Sequence, residues 1–147
     1  MAQDPRAALR AAAVDAHRAG RHADALDGYT RYLARYPKDA GIWTNLGALY
    51  RTTGRHDMGR TAQMRAYAID PRDSGVLNNY SNILSDLGDY AQSIELREKS
   101  LATDPTHLMH HAMIGRCYRG MGAYGRAIEY LTAMAAKYPQ EAQIRLQ

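Results

Sequence analysis

The stretch that decides the fold is AGIWTNLGALYRTTGRHDMGRTAQMRAYAIDP, residues 40–71. In its first half Trp43, Leu46, Gly47 and Tyr50 stand three and four residues apart, so they share one face of a helix. Gly54 then suits the left-handed residue that ends a helix. A second helical run follows, and Pro71 prevents its continuation. One unit of helix, tight turn, helix and stop is complete within the stretch.

The same punctuation runs through the chain. Pro37, Pro71, Pro105 and Pro139 fall 34 residues apart, and so do Gly20, Gly54, Gly88 and Gly122. Two independent breakers sharing one period mean duplicated helix–turn–helix units. Counting back gives units 6–39, 40–73, 74–107 and 108–141, with a short stub at 142–147. The spacing predicts helices over 5–18, 22–35, 40–52, 56–69, 73–86, 90–103, 107–120 and 124–137. Asp39 and Asp73 sit where an N-cap acceptor is wanted, and Asp4 before Pro5 gives the first helix the same start. Short connections make neighbouring helices antiparallel. The small residues Ala13, Gly47, Ser81 and Gly115 on first helices face Ala25, Gly59, Ser93 and Ala127 on second helices, allowing close approach.

Trp43-x-x-Leu46-Gly47-x-x-Tyr50 is the full signature of the tetratricopeptide repeat, echoed by Ile114-Gly115-x-x-Tyr118 and Tyr80-Ser81-x-x-Leu84. Unit one is the weakest, with Leu9, Ala12, Ala13 and Ala16 in those places. The chain therefore resembles the tetratricopeptide repeat family over about residues 6–141. The resemblance implies an all-α fold, an α-solenoid of four tandem units in a single domain over 1–147, coiled into a superhelix with a concave groove. Gln63 and Arg97 stand where other second helices carry apolar residues, and are read with Arg60 as drift at a partly exposed edge, the alternatives for the helix of Arg60 and Gln63 being loose packing or polar groups that meet something outside the unit.

The bulk composition agrees with a folded interaction domain. Charged residues are 23% and hydrophobic ones 46%, so the chain is not of the disordered class. Phe is absent, which leaves packing to 11 Tyr with Leu, Met and Ala. The net charge of +4 is too small to assign a nucleic-acid partner by itself. With one cysteine, no signal-like start and no apolar run of about 20 residues, the sequence reads as cytoplasmic and without membrane insertion.

A second stripe on the first helices carries the functional expectation. It reads Arg10, Val14, His17; Thr44, Ala48, Arg51; Asn78, Asn82, Ser85; Ala112, Arg116, Arg119, with Ala11, Asn45, Asn79 and Met113 beside it. In the family this stripe lines the groove that receives extended peptides, so the resemblance implies a protein or peptide partner. Asn45 and Asn79 occupy equivalent places, and a side-chain amide pairs with a peptide backbone whatever its sequence. The pair is similar to the asparagine ladder in repeat arms of O-GlcNAc-transferase-type enzymes. Arg10, Arg51, Arg116 and Arg119 against Asp86 add a preference for an acidic partner. The binding residues expected are Arg10, Asn45, Arg51, Asn78, Asn79, Asn82, Arg116 and Arg119. The family's carboxylate clamp for chaperone tails fits poorly, since Val14, Gly75 and Asn79 stand where it wants Asn or basic residues.

Other chemistry is set aside. His107, His110 and His111 have helical spacing, but His111 falls on the packed stripe and a zinc site needs three or four fixed ligands. Cys117, beside the signature Tyr118, reads as a packed thiol. No phosphate-binding glycine loop, paired catalytic carboxylates or Ser–His–Asp order is present, so neither an enzyme nor a cofactor is expected. The groove stripe holds no Tyr or Trp, which argues against single-stranded nucleic acid. Besides a peptide-binding module, two readings stay open: a substrate-recruiting arm of a larger bacterial transferase, and a scaffold that self-associates through its uncapped C-terminal end. The last of these would use Ile144 and Leu146.

Overall fold

The computed structural model describes residues 4–139, and the 142–147 stub with Ile144 and Leu146 lies outside them. Among the described residues there are eight helices: α1 Pro5–Arg18, α2 His22–Arg35, α3 Ala40–Thr52, α4 His56–Ile69, α5 Ser74–Asp86, α6 Tyr90–Thr103, α7 Leu108–Gly120 and α8 Tyr124–Lys137. The fold is all-α, in helix–turn–helix pairs as the period predicts. Six helices have the expected bounds. α5 and α7 each begin one residue later, because Asp73 and His107 stand just outside as caps.

The punctuation works as its chemistry requires. Gly20, Gly54, Gly88 and Gly122 all have φ between 75° and 80°. At Gly54 the amide returns to the Arg51 carbonyl at 3.1 Å and the next amide, of Arg55, to the Tyr50 carbonyl at 2.7 Å. These paired bonds close the helix and demand a left-handed residue, which glycine adopts without steric cost. Three of the four first helices start on aspartates: Asp4, Asp39 and Asp73 accept from the amides of Arg6, Ile42 and Val76 at 3.0, 3.1 and 2.9 Å.

Packing groups the chain into two compact units, Met1–Ile83 and Leu84–Gln147, with the division falling inside α5. In the first unit Tyr29, Tyr32, Ile42, Leu46 and Leu49 form the core with Ala13, Ala16 and Ala25. A Cβ on Gly47 would collide with the Gln63 side chain, so the glycine is what lets α3 and α4 close around it. Gln63 is only 1% exposed and donates Nε2–H to the Thr44 carbonyl at 3.1 Å. In the second unit Ile94, Leu101, Ile114 and Cys117 form the core.

This overturns the reading of Gln63 and Arg97 as drift at an exposed edge. Both are enclosed, Arg97 completely, and each makes a specific polar bond into a neighbouring first helix. Most buried polar groups have at least one hydrogen-bond partner, and each of these side chains has one. The period marked these places as interior; the amino-acid type argued otherwise, and the period wins.

Unit one, the weakest by signature, is held by polar groups. Tyr32 donates to Asp39 Oδ2 at 2.7 Å, and the same oxygen receives Arg10 Nε–H at 3.0 Å. Arg6 donates Nε–H to the Tyr32 hydroxyl at 3.0 Å and lies over the Tyr36 ring. One aspartate thereby ties α1, α2 and α3. The outward face of α1 also differs from the later first helices. Ala8, Ala12 and Asp15 are exposed there, where α3 buries Ile42, Leu46 and Leu49.

Candidate functional site

The first unit carries six of the expected binding residues. Asn45 projects from the middle of α3, half-buried. Beneath it lies Tyr29, enclosed, whose hydroxyl is 2.8 Å from His17 Nδ1. Burial pushes the Tyr29 phenol above its ordinary value, while its hydrogen bond with the Asn45 side chain pulls the other way. Asn79, 34 residues on, donates Nδ2–H to the Gly75 carbonyl one turn earlier, at 2.8 Å. Asn78 and Asn82 are half-buried on the same helix, and Arg51 is exposed at the end of α3.

Arg10 is placed differently from the free groove cation expected of it. Its guanidinium is committed to Asp39, and that ion pair and hydrogen bond hold its pKa above the ordinary value. A strong local acceptor explains the capture, since a charge-assisted bond outweighs the freedom of an exposed side chain. Thr44 is likewise packed, at 7% exposure, and His17 spends a ring nitrogen on Tyr29. The other expected residues of this unit, the four asparagines and Arg51, are half-buried or exposed along the stripe.

In the second unit Arg116 and Arg119 are exposed one turn apart on α7. Arg116 Nη1 reaches the Met113 sulfur at 3.8 Å, a weak acceptor. Together with Gly120 and Tyr124 they line an open cleft of about 340 Å³. Ser85, placed on the stripe by its register, is engaged inward, 2.7 Å from Ser93 Oγ and 3.4 Å from the Cys117 sulfur. The sequence reading missed Gly120 and Tyr124. Gly120 offered a signal: it is the glycine at the α7 end that the 34-residue spacing does not require.

His110 and His111 are engaged within the fold. His111 donates Nε2–H to the Pro105 carbonyl at 2.7 Å and accepts from the Tyr130 hydroxyl at Nδ1, 2.6 Å away. His110 turns Nδ1 to Arg97 Nη1, which can only donate, so that nitrogen is an unprotonated acceptor. With these nitrogens occupied the cluster is not arranged as a metal centre, and no group of three metal-ligating side chains occurs among the described residues. No helix among the described residues is long and apolar enough to cross a membrane.

The sequence pattern of the tetratricopeptide repeat matches residues 10–74 and 81–142. No curated protein matches the chain. Among solved structures the chain is similar to a MamA protein, at 19% identity and a TM-score of 0.85, over 97% of this chain and 78% of that one. A tetratricopeptide repeat protein from Parabacteroides merdae is similar at 17% identity and TM-score 0.82, over 96% of this chain and 56% of that one. The first repeat domain of Spaghetti (RPAP3), solved bound to an HSP90 peptide, is similar at 14% identity and TM-score 0.73, over 80% and 95%. At these identities the likeness is one of fold.

Proposed function

The chain belongs to the tetratricopeptide repeat family, and from that premise we propose that it is a protein-interaction module binding an extended peptide or partner segment along its first-helix stripe. The observation that carries this reading is the pair Asn45 and Asn79. They stand one period apart on α3 and α5, each amide half-buried and tethered from behind, by Tyr29 and by the Gly75 carbonyl. A tethered amide loses little rotamer freedom on binding, so it pairs with a peptide backbone at low entropic cost. The bond to Gly75 uses one of the two amide N–H groups of Asn79, and a side-chain amide has a second N–H and an oxygen acceptor besides. Arg51 extends the stripe with positive charge and favours an acidic partner. Support also comes from the RPAP3 domain, a protein of this fold solved with a bound peptide. The reading assigns the chain a binding role without catalysis.

The test is capture of partners by the full chain, with Asn45→Ala and Asn79→Ala combined. Loss of an identified partner by tenfold or more supports the reading; unchanged binding rejects it.

A second reading is self-association. Ile128 on α8 is 58% exposed, whereas Ile94 in the equivalent place on α6 is 8% exposed and packed under α7. Light scattering of the chain and of Ile128→Asp decides it. A monomer in both cases removes the idea.

A further inference from the structure

The cleft in the second unit has a construction that the groove expectation did not contain. Arg116 and Arg119 rise three residues apart from the exposed side of α7, and like charges at that spacing repel. Between them and Tyr124, at the start of α8, the position of Gly120 carries no side chain. A Cβ at Gly120 would run into the ring of Tyr90, at the start of α6, so the glycine both leaves the cleft open and seats that ring. Tyr124 supplies the far wall and is 64% exposed, a large ring held in solvent. Pairs of Arg side chains beside an aromatic wall suit a planar or tetrahedral oxyanion on an aliphatic stem: the forks bind the oxygens and the ring covers the stem.

The carbonyl end of α7 disfavours an anion and the amide end of α8 favours one. The two meet in the turn at Met121–Gly122–Ala123. At about 340 Å³ the cleft is larger than a bare anion needs and accommodates a whole acidic side chain.

We propose that the cleft of Arg116, Arg119, Gly120 and Tyr124 is a subsite for an oxyanion carried on a peptide side chain, a carboxylate or a phosphoryl group. It rests on the reading of the chain as a peptide-binding module, and it adds which end of the chain takes an acidic residue.

The experiment titrates the full chain with three fluorescent hexapeptides, of glutamate, of alternating phosphoserine and glycine, and of glutamine, and follows backbone amide shifts by NMR. The expected result is binding of the glutamate or phosphoserine peptide at least tenfold tighter than glutamine, with shifts at Gly120 and Tyr124. Which of the two acidic peptides binds tighter identifies the source of the oxyanion. Arg116→Gln with Arg119→Gln should weaken that binding tenfold or more. The charge-matched pair Arg18→Gln with Arg72→Gln should change it less than twofold. Equal losses from the two double variants, shifts that avoid Gly120 and Tyr124, or no acidic preference overturn the subsite. Asn45→Ala with Asn79→Ala separates the two readings. If cleft shifts persist and affinity is unchanged, the subsite stands and the asparagine reading fails. If an identified partner is lost in the asparagine variant while acidic peptides ignore the cleft, the reverse holds.

Discussion

Arg97 donates through Nη1 to His110 Nδ1 across 3.2 Å, with the guanidinium wholly enclosed between α6 and α7. The bond needs His110 without a proton on that nitrogen. Burial, with the positive field of His107, Arg97 and His111 against the lesser pull of Asp104, lowers the His110 pKa to about 4. A histidine's ordinary value is about 6.5, so between those limits the unfolded chain binds the extra proton. Stability from this residue is complete above about pH 6.5 and declines as pH falls toward 4. Denaturant melts of wild type and His110→Gln at intervals from neutral to acid pH check this. The wild type should lose more stability across the window, and parallel curves reject it.

Asp39 is the converse case. Burial alone would raise its pKa, but bonds from the Tyr32 hydroxyl, Arg10 and the Ile42 amide outweigh it and hold the carboxyl below its ordinary value. The stability it contributes is present above that ordinary value and is lost as pH falls through the lower, folded one. Asp39→Ala removes a helix cap and the acceptor shared by Tyr32 and Arg10. A cost of about 1–3 kcal/mol is expected from those two losses. Thermal unfolding of the variant measures it, and a melt within error of wild type contradicts the network.

Two glycines separate backbone strain from packing. At Gly54 an added Cβ meets nothing within 4 Å, yet φ is 79°, so Gly54→Ala should cost about 1 kcal/mol through conformation alone. Gly47 is helical, but its Cβ would strike the Gln63 side chain, so Gly47→Ala should cost about 1–3 kcal/mol by overpacking. Coupling Gly47→Ala to Gln63→Ala should recover part of the loss, whereas Gly54→Ala should not respond. Double-mutant cycles in urea distinguish the two mechanisms.

The helices and turns were legible in the sequence because glycine, proline and N-cap aspartate each act on the backbone over one or two residues. Nothing distant competes with them. The tie of Arg10 to Asp39 was not legible: the two lie 29 residues apart, and register places one on a first helix and the other at the cap of the next without showing that their side chains meet. Gln63 and Arg97 were misjudged for a related reason, since polarity was weighed above place in the repeat. The Tyr90–Gly120 contact joins the second helix of one repeat to the first helix of the next, beyond the reach of a pattern that describes a unit by itself.

Gln63 supplies the last test of that lesson. Its Nε2 is bonded to the Thr44 carbonyl, while its Oε1 is buried without a hydrogen-bond partner. Gln63→Leu keeps nearly the same volume, gives up one neutral hydrogen bond worth about 1 kcal/mol, and removes an orphaned acceptor costing about 1–3 kcal/mol. The variant is therefore expected to be neutral or more stable by up to about 2 kcal/mol, measured as the urea midpoint at unchanged slope. A clear loss of stability would mean that Oε1 is satisfied in solution, by a water between α3 and α4, and that Gln63 is retained for both of its bonds.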